Sequence, residues 1–252
     1  MVAILELDKL NELNEKRRKI RPLLSSADPA DALTGYYALW HDPRRTQLTL
    51  HRVQGQVDGF VAVCQTGVDL FRPQAVLRAP DVKAVGELLR RAFAPGRPFQ
   101  VVVPVTLAPA VREHVEIARS SLTHVYRLDP TRFQPVINVL VQRVTGADGT
   151  PRFEIESQGR LAAMSGTNWR SPAFAEVFVY VHPSGRGRGW GKSVVSACTA
   201  SLLEERLRPL YMVEEGNQAS RHIAESLGYI DTGLLEFVGE GQLKQESPRE
   251  VG

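Results

Sequence analysis

Hydrophobic positions in the N-terminal half switch between the period of a helix and that of a strand. Ile4, Leu7, Leu10 and Leu13 recur at intervals of three, which predicts an amphipathic helix over residues 4–20. This helix either packs on the body of the protein or serves as a dimer contact. Further strands are predicted at 47–53, 59–65, 75–78, 100–105 and 122–128, with helices at 82–93 and 109–117.

The C-terminal half shows the same alternation with longer pieces. Strands are predicted at 136–143, 153–157, 160–164, 175–181, 210–213 and 234–238, and helices at 190–206 and 217–227. The order strand–helix–strand–helix–strand thus occurs twice, at 75–128 and 175–238, although any α/β protein can show such alternation. We expect an α/β (α+β) fold with two mixed-sheet halves flanked by helices.

Turn-forming residues at Asp129-Pro130-Thr131 suggest the boundary between the halves. The predicted organisation is an N-terminal domain over 1–130, a second domain over 131–240 and a flexible tail over 241–252. The tail is inferred from its Gly, Glu, Gln and Pro content.

Composition is that of an ordinary globular protein: 43% hydrophobic and 23% charged residues in a chain of 252. No apolar run approaches the ~18 residues that span a bilayer, and the first residues lack the pattern of a secretory signal. Cys64 and Cys198 have no ligand cluster nearby, which argues against a zinc site or disulfide scaffold. We therefore expect a cytoplasmic protein, without metal or membrane partner, that is a monomer or homodimer.

A net charge of +3 invites a nucleic-acid interpretation. Residues 1–130 hold 18 basic against 14 acidic residues, and residues 131–252 hold 13 against 14. The excess is small, and no stripe of alternating basic and aromatic residues accompanies it. Nucleic acid is therefore not an expected partner.

A glycine-rich loop in the second half is the most informative segment. Between the strand at 175–181 and the helix at 190–206, glycines occupy 185, 187, 189 and 191, with cations at Arg186, Arg188 and Lys192. Glycine permits positive φ and close approach of a ligand, and the N–H groups at a helix start attract an anion. The loop therefore predicts a phosphate or pyrophosphate site.

Three phosphate-binding patterns compete for this loop. The dinucleotide pattern G-x-G-x-x-G fails in every register. The P-loop pattern is approached by Gly191-Lys192-Ser193, but Arg186 stands where its first glycine belongs. The third pattern, [Q/R]-x-x-G-x-[G/A], is met by Arg186, Gly189 and Gly191.

That third pattern resembles the signature of the GNAT superfamily of acetyl-CoA-dependent N-acetyltransferases. The segment from Asn217 to Gly228-Tyr229 is similar to another stretch of that family, and the strand ending at Val181 resembles its fourth strand. The resemblance covers about residues 135–240. It implies that the C-terminal half binds acetyl-CoA as a cosubstrate, while the N-terminal half is a degenerate GNAT-like domain, because Ala79-Pro80-Asp81 offers no glycine loop.

The resemblance also assigns roles to individual residues. Backbone amides from Gly187 to Lys192 would hold the pyrophosphate, while the main chain of Val179–Val181 would pair with the pantetheine arm. Asn217 and Ser220 would line the arm, and Arg186 and Arg188 would reach the outer phosphates. The implied cofactor-binding set is Val179, Tyr180, Val181, Arg186, Gly187, Arg188, Gly189, Trp190, Gly191, Lys192, Ser193, Asn217 and Ser220.

Acetyl transfer to an amine needs a base, and Glu176 at the start of the fourth-type strand is the candidate. A solvated strand-end carboxylate is the competing interpretation. The family's usual general-acid tyrosine, seven residues after the Asn, is replaced by Ala224, so Tyr211, Ser220, Tyr229 and water compete for that role. The expected function is N-acetyl transfer to an unidentified primary amine. A non-catalytic acyl-CoA-binding protein and a nucleotide-binding protein are the alternatives.

Overall fold

The computed structural model describes residues 2–67 and 69–245, with side chains from residue 6 onward. They form two compact units. One contains the described residues up to Leu122 and those from Glu236 onward, and the other is Thr123–Leu235. The division therefore falls eight residues before the predicted boundary, and the chain returns to the first unit near its end.

The N-terminal unit is a mixed sheet in the order β1-β2-β3-β4-β11, with β3 and β4 parallel. Residues 21–45, for which no element was predicted, form short helical turns. The bounds are α1 Val2–Ile20, α2 Ala32–Gly35, β1 Thr46–Val53, β2 Gln56–Cys64, β3 Gln74–Arg78, α3 Val82–Ala92, β4 Phe99–Pro104 and α4 Ala108–His114, followed by the start of β5 Val115–Leu128 and completed by the end of β11 Tyr229–Leu243.

The C-terminal unit has the sheet order β5-β10-β9-β8-β7-β6, with β9 and β10 parallel and their neighbours antiparallel. Each unit therefore contains one parallel strand pair joined by a helix, which confirms the predicted pair of mixed-sheet halves. The bounds are β6 Gln142–Thr145, β7 Pro151–Ser157, β8 Arg160–Arg170, β9 Phe174–Val181, α5 Trp190–Glu204, β10 Arg208–Glu214 and α6 Gln218–Ser226.

Each unit has its own core. In the N-terminal unit, Val85, Leu88 and Leu89 on one face of α3 pack against the β4 side chains in a buried cluster. In the C-terminal unit, α5 contributes Val194 and Cys198 to the equivalent layer. The helical period of these apolar positions is what turns each helix towards its sheet. Among the described residues, no helix is long and apolar enough to cross a membrane.

Two predicted elements are wrong. Residues 136–141 are not a strand, because the backbone there bonds to α5 instead: the N–H of Val136 donates to Ser196 Oγ at 2.8 Å. The predicted tail is also too long, since β11 continues to Leu243, which is only 4% exposed in the N-terminal core. The rest of the predicted tail, residues 246–252, lies outside the described residues.

The N-terminal unit has no anion cradle at the start of its crossover helix. Asp81 is extended, and its own carboxylate accepts the N–H of Ala84 at 2.8 Å. A carboxylate cap satisfies the donors that would otherwise face a ligand phosphate. The sequence has no glycine loop at this position, and in the structure the Asp81 carboxylate caps the helix there instead.

Glu236 is a buried carboxyl in the N-terminal unit. It lies on β11 opposite Pro104, is 4% exposed, and its Oε2 has no hydrogen-bond partner among the described residues. Burial raises the pKa of Glu236 to about 7, opposed by the nearby guanidinium of Arg78. Folding in its charged form is therefore costly.

We expect Glu236→Gln to stabilise the protein at alkaline pH. A folded pKa above the unfolded value means that stability is lost as pH rises from about 4.5 through 7, by ~3 kcal/mol at most. Gln has no charged form, so the variant does not lose this stability. The excess of its melting temperature over that of the unmodified protein should therefore grow between pH 5 and 8. Glu113→Gln, an exposed carboxylate on α4, is the matched control. An advantage that stays constant across this range would contradict the assignment.

Candidate functional site

The glycine-rich loop connects β9 to α5 through a short capped turn. His182 caps the turn Pro183–Gly185, with its Nδ1 accepting the N–H of Ser184 at 3.3 Å. Gly187 and Gly189 then adopt φ of 75° and 72°, and Gly189 immediately precedes α5. These left-handed conformations favour glycine, and a Cβ at either position would meet nothing within 4 Å. Both glycines therefore border open space.

The other two glycines are required for packing. A Cβ on Gly185 would lie 2.9 Å from the carbonyl oxygen of Ala162. One on Gly191 would lie 2.9 Å from Val181 Cγ2 and 3.0 Å from Ile223 Cδ1. These contacts bring the first turn of α5 close to the end of β9. Gly187 and Gly189 thus shape the loop, whereas Gly185 and Gly191 allow it to pack closely against β8 and β9.

The start of α5 presents unpaired donors to this open space. The backbone N–H groups from Gly187 to Lys192 have no partner among the described residues, whereas the N–H of Ser193 makes the first helical bond, to Gly189 O at 3.1 Å. A helix N-terminus with free N–H groups attracts anions through hydrogen bonds and the helix dipole.

The cations around the loop differ in how they are held. Arg186 is exposed, Lys192 is half-buried, and neither forms an ion pair within the described ranges. Arg188 is exposed and its guanidinium lies 5.0 Å from the centre of the Trp190 ring, in a cation–π contact. Arg186 and Lys192 are thus the cations best able to turn towards a ligand.

Ser193 departs from the expected role. It is 4% exposed, and its hydroxyl donates to Gly189 O at 3.2 Å while accepting from Asn138 Nδ2 at 3.1 Å. The hydroxyl is therefore part of the helix start and is not directed at a ligand. This corrects its placement in the cofactor-binding set, and it also weakens the P-loop comparison, which needs a serine hydroxyl free to bind a metal ion.

β9 and β10 separate beside the loop. Their parallel pairing runs from Phe174 and Arg208 to Val177 and Tyr211. β9 then continues to Val181 and β10 continues to Glu214. In the described part of the chain, these last residues of β9 and β10 do not pair with each other. The strands therefore leave a gap that opens towards the N-terminus of α5.

The peptide groups facing this gap follow from the pairing on the other side of β9. His182 N–H donates to Ala162 O at 2.9 Å, and Tyr180 pairs with Met164. Because antiparallel residues alternate between bonding the partner strand and facing away, the peptide groups of Val179 and Val181 face the gap. Those of Tyr180 face β8, which corrects the expectation that all three main-chain residues serve the ligand.

The start of α6 lies next to Tyr211, the last paired β10 residue before the gap. Asn217 caps this helix, its Oδ1 accepting the N–H of Ser220 at 3.1 Å, which leaves its amide NH₂ available. The hydroxyl of Ser220 donates to Tyr211 Oη at 3.1 Å. Tyr211 is 1% exposed, and burial raises its pKa to about 12. Sequence reasoning placed Tyr211 only among several candidates; its position at the last paired residue before the gap distinguishes it.

Glu176 lies on the opposite face of the sheet from α5. Val179 and Val181 pack with the α5 cluster, so the alternating residues Glu176 and Tyr180 project to the other side. The register of β8 and β9 shifts at Thr167 and Trp169, which makes Asn168 an extra residue opposite Glu176. This bulge aims Asn168 Nδ2 at Glu176 Oε1, 2.9 Å away.

Burial raises the pKa of Glu176 to about 7, with the side chains of Asn168 and Trp169 acting in the opposite direction. Glu176 as a whole is half-exposed, so its carboxyl is desolvated but can still be reached from the surface. A carboxyl poised near neutral pH suits proton transfer. The sequence did not indicate that Asn168 is a partner of Glu176, since bulges carry no clear sequence signal.

Several remaining candidates have structural roles. Ala224 is fully buried in the core of the unit, and the Tyr229 hydroxyl bonds Thr199 Oγ1 at 2.7 Å, also within the core. Burial raises the pKa of Tyr229 far above that of a free phenol. Tyr229 is therefore unsuited to donate a proton.

A family model matches the part of the chain that contains the glycine-rich loop. Residues 157–238 match the family model described as FR47-like protein. The matched region includes β8, β9, the glycine loop and α6. No curated protein matches the chain.

Solved structures match over both units. An acetyltransferase of the GNAT family from Colwellia psychrerythraea is 15% identical, with a TM-score of 0.57, over 94% of this chain and 97% of that one. A GCN5-related N-acetyltransferase-like protein from Streptococcus suis is 12% identical, with a TM-score of 0.61, over 92% and 100%.

A tandem GNAT protein from the clavulanic acid biosynthesis pathway is 15% identical, with a TM-score of 0.57, over 95% of this chain and 96% of that one. At these identities the likeness concerns the fold. The chain thus has the fold of GNAT acetyltransferases and an FR47-like C-terminal region, which confirms the resemblance indicated by the glycine-rich loop.

Proposed function

We propose that this protein transfers an acetyl group from acetyl-CoA to a primary amine. The observation that carries the proposal is the conjunction of the unpaired N–H groups at the start of α5 with the gap between β9 and β10. A long, thin arm joined to a pyrophosphate fits both features. Burial of both free cysteines is compatible with the reducing cytoplasm that the sequence predicts.

The proposed cofactor contacts use main chain more than side chains. The N–H groups from Gly187 to Lys192 hold the pyrophosphate, with Arg186 and Lys192 adding charge. Val179 and Val181 pair their peptide groups with the pantetheine arm, as a strand edge pairs with an added strand. The amide of Asn217 donates to the same arm from the opposite side. Arg188 contributes only after leaving the Trp190 ring.

Acetyl-CoA supplies an acetyl thioester, and the chain's own groups move the protons. Glu176, as carboxylate, accepts a proton from the amine, directly or through water, as its nitrogen forms the new bond to the acetyl carbon. The N–H of Val179 lies on the gap side, where it can donate to the carbonyl oxygen as negative charge develops.

Tyr211 assists the departure of the sulfur as the carbon–sulfur bond breaks. Because Ser220 donates to its oxygen, the Tyr211 hydroxyl keeps its own proton for a further acceptor. A phenol with a pKa of about 12 does not surrender its proton to a thiolate, since thiols titrate near 8.5. Tyr211 therefore stabilises the thiolate by a hydrogen bond, and the proton comes from solvent.

A second function is favoured by one observation. Ala224, buried at the position of the family's general acid, and the weakly acidic Tyr211 leave no strong proton donor among the candidates considered. A non-catalytic acyl-CoA-binding protein fits this lack. Binding of CoA without thiol release from acetyl-CoA, over a broad panel of amines, would support this second function.

Calorimetry with CoA tests the cofactor site. We expect the double variant Arg186→Gln/Lys192→Gln to weaken CoA binding about tenfold, because two charge-assisted contacts to phosphate are lost. Arg127→Gln/Arg132→Gln, which removes two exposed cations of the same unit, is the matched control. Absence of CoA binding to the unmodified protein at millimolar concentration would overturn the proposal.

Glu176→Gln should lower kcat/KM at pH 7.5 by about 100-fold while leaving the CoA dissociation constant within threefold. Since the pKa of Glu176 is raised to about 7, the active carboxylate form appears as pH rises through 7, and the unmodified enzyme should gain activity over that range. The variant should lose this limb of the pH–rate profile. Glu204→Gln, at the exposed end of α5, is the control. A limb that persists in Glu176→Gln would remove Glu176 from the mechanism.

Tyr211→Phe should reduce kcat about tenfold with little change in CoA affinity, because the ring stays packed and only the hydrogen bond to the departing sulfur is lost. Tyr229→Phe is a closely matched control, as it deletes a buried hydroxyl from the same core. Equal effects of the two substitutions on kcat would indicate a structural contribution of Tyr211 and contradict its role at the sulfur.

A further inference from the structure

A cavity of about 600 Å³ lies in the N-terminal unit, and none of its lining residues belongs to the proposed acetyl-CoA site. It is bordered by the start of β1, the end of β2, the loop before β3 and the C-terminal end of α3. Its lining residues all belong to the N-terminal unit. The volume falls within the range of about 300–1,000 Å³ that holds small organic ligands.

Three arginines line this cavity: Arg44, Arg45 and Arg97, and no acidic residue accompanies them in the lining. Arg45 has one carboxylate nearby, Asp42 Oδ2 at 3.8 Å, on the exposed surface. Arg44 and Arg97 are exposed and form no ion pair within the described ranges. Unbalanced positive charge around a concave surface attracts anions.

The rest of the lining is apolar. Val63, Pro73 and the C-terminal residues of α3 contribute to the wall, including the largely buried Phe93. At the rim, Leu70 is 79% exposed and Phe71 88% exposed. Two large apolar side chains next to each other in solvent leave a surface that an apolar ligand group would cover.

The exposure of Phe71 is fixed by the local hydrogen bonds. Asp69 accepts the backbone N–H of Phe71 at 2.8 Å and that of Arg72 at 3.1 Å, and it also accepts Arg72 Nε at 2.7 Å. Arg72 is bonded in turn to Glu240 on β11. The turn therefore holds Leu70 and Phe71 at the cavity rim, beside the three arginines.

We propose that this cavity binds a small organic anion with an apolar body, such as a medium-chain or aromatic carboxylate. The acidic group meets the arginines, where charge-assisted hydrogen bonds to a planar carboxylate are favoured. The apolar body packs on the rim and the wall, and removes the apolar surface of Phe71 from water. This site is independent of the proposed acetyl transfer, since none of its residues belongs to that machinery.

The test uses the whole chain of 252 residues and 8-anilinonaphthalene-1-sulfonate, an apolar anion whose fluorescence rises in apolar sites. Titrations contain saturating CoA, so that the acetyl-CoA site does not take up the dye. We expect one saturable site, weakened about tenfold or more by Arg44→Gln/Arg97→Gln. Arg18→Gln/Arg119→Gln removes two exposed arginines of the same unit outside the cavity and should leave binding unchanged.

Competition distinguishes the chemistry of the ligand. Decanoate should displace the dye, decanol should displace it at least tenfold less effectively, and Leu70→Ser/Phe71→Ser should weaken decanoate binding several-fold. Equal displacement by decanoate and decanol, or unchanged dye binding in Arg44→Gln/Arg97→Gln, would overturn the proposal. Binding to phosphatidylglycerol vesicles without binding of soluble decanoate would also overturn it, since the site would then be a lipid-surface contact.

Discussion

The separation of β9 from β10 after Val177 and Tyr211 is the constraint on which the candidate site depends. Up to that pair the two strands satisfy each other's peptide groups, and beyond it their facing edges lack that partner. Unsatisfied peptide groups are costly unless water or a ligand bonds them. The proposed ligand, whose pantetheine arm has amide groups of its own, would satisfy them. The close packing of Gly191 on Val181 brings the unpaired N–H groups at the start of α5 next to the end of β9, beside the gap.

The two units differ in whether the start of the crossover helix leaves its N–H groups unpaired. Both contain a parallel pair joined by a helix, but the helix starts differ. In the N-terminal unit Asp81 supplies an anionic cap from within the chain, whereas Gly189 at the start of α5 supplies no side chain at all. A helix start needs its N–H groups satisfied in either case. In α3 the Asp81 carboxylate accepts one of these N–H groups. At the start of α5 the N–H groups stay unpaired within the chain, where a ligand could bond them.

How far the sequence predicts this structure depends on whether the signal is local. Periodicity located α1, α3 and α5 well, and the spacing of Arg186, Gly189 and Gly191 located the loop, because helix faces and positive-φ glycines leave local marks. The segment 136–141 was mistaken for a strand because its apolar residues suit a strand, and only its bonds to α5, 55 and 60 residues away, decide otherwise. Tertiary pairing of that kind has no local signature.

The same distinction applies to the chemistry. Glu176 is recognisable by its position in a strand, but its proposed role depends on a proton affinity that the sequence does not contain. Desolvation in the fold raises its pKa, and the side chains of Trp169 and of Asn168, which the β8 bulge brings within 2.9 Å, limit the rise. A straight β8 would leave no extra residue opposite Glu176, and the carboxyl would lose a donor that favours its charged form. The bulge thus limits the rise of the Glu176 pKa and holds its carboxyl in place, as the proposed role of Glu176 as a base requires.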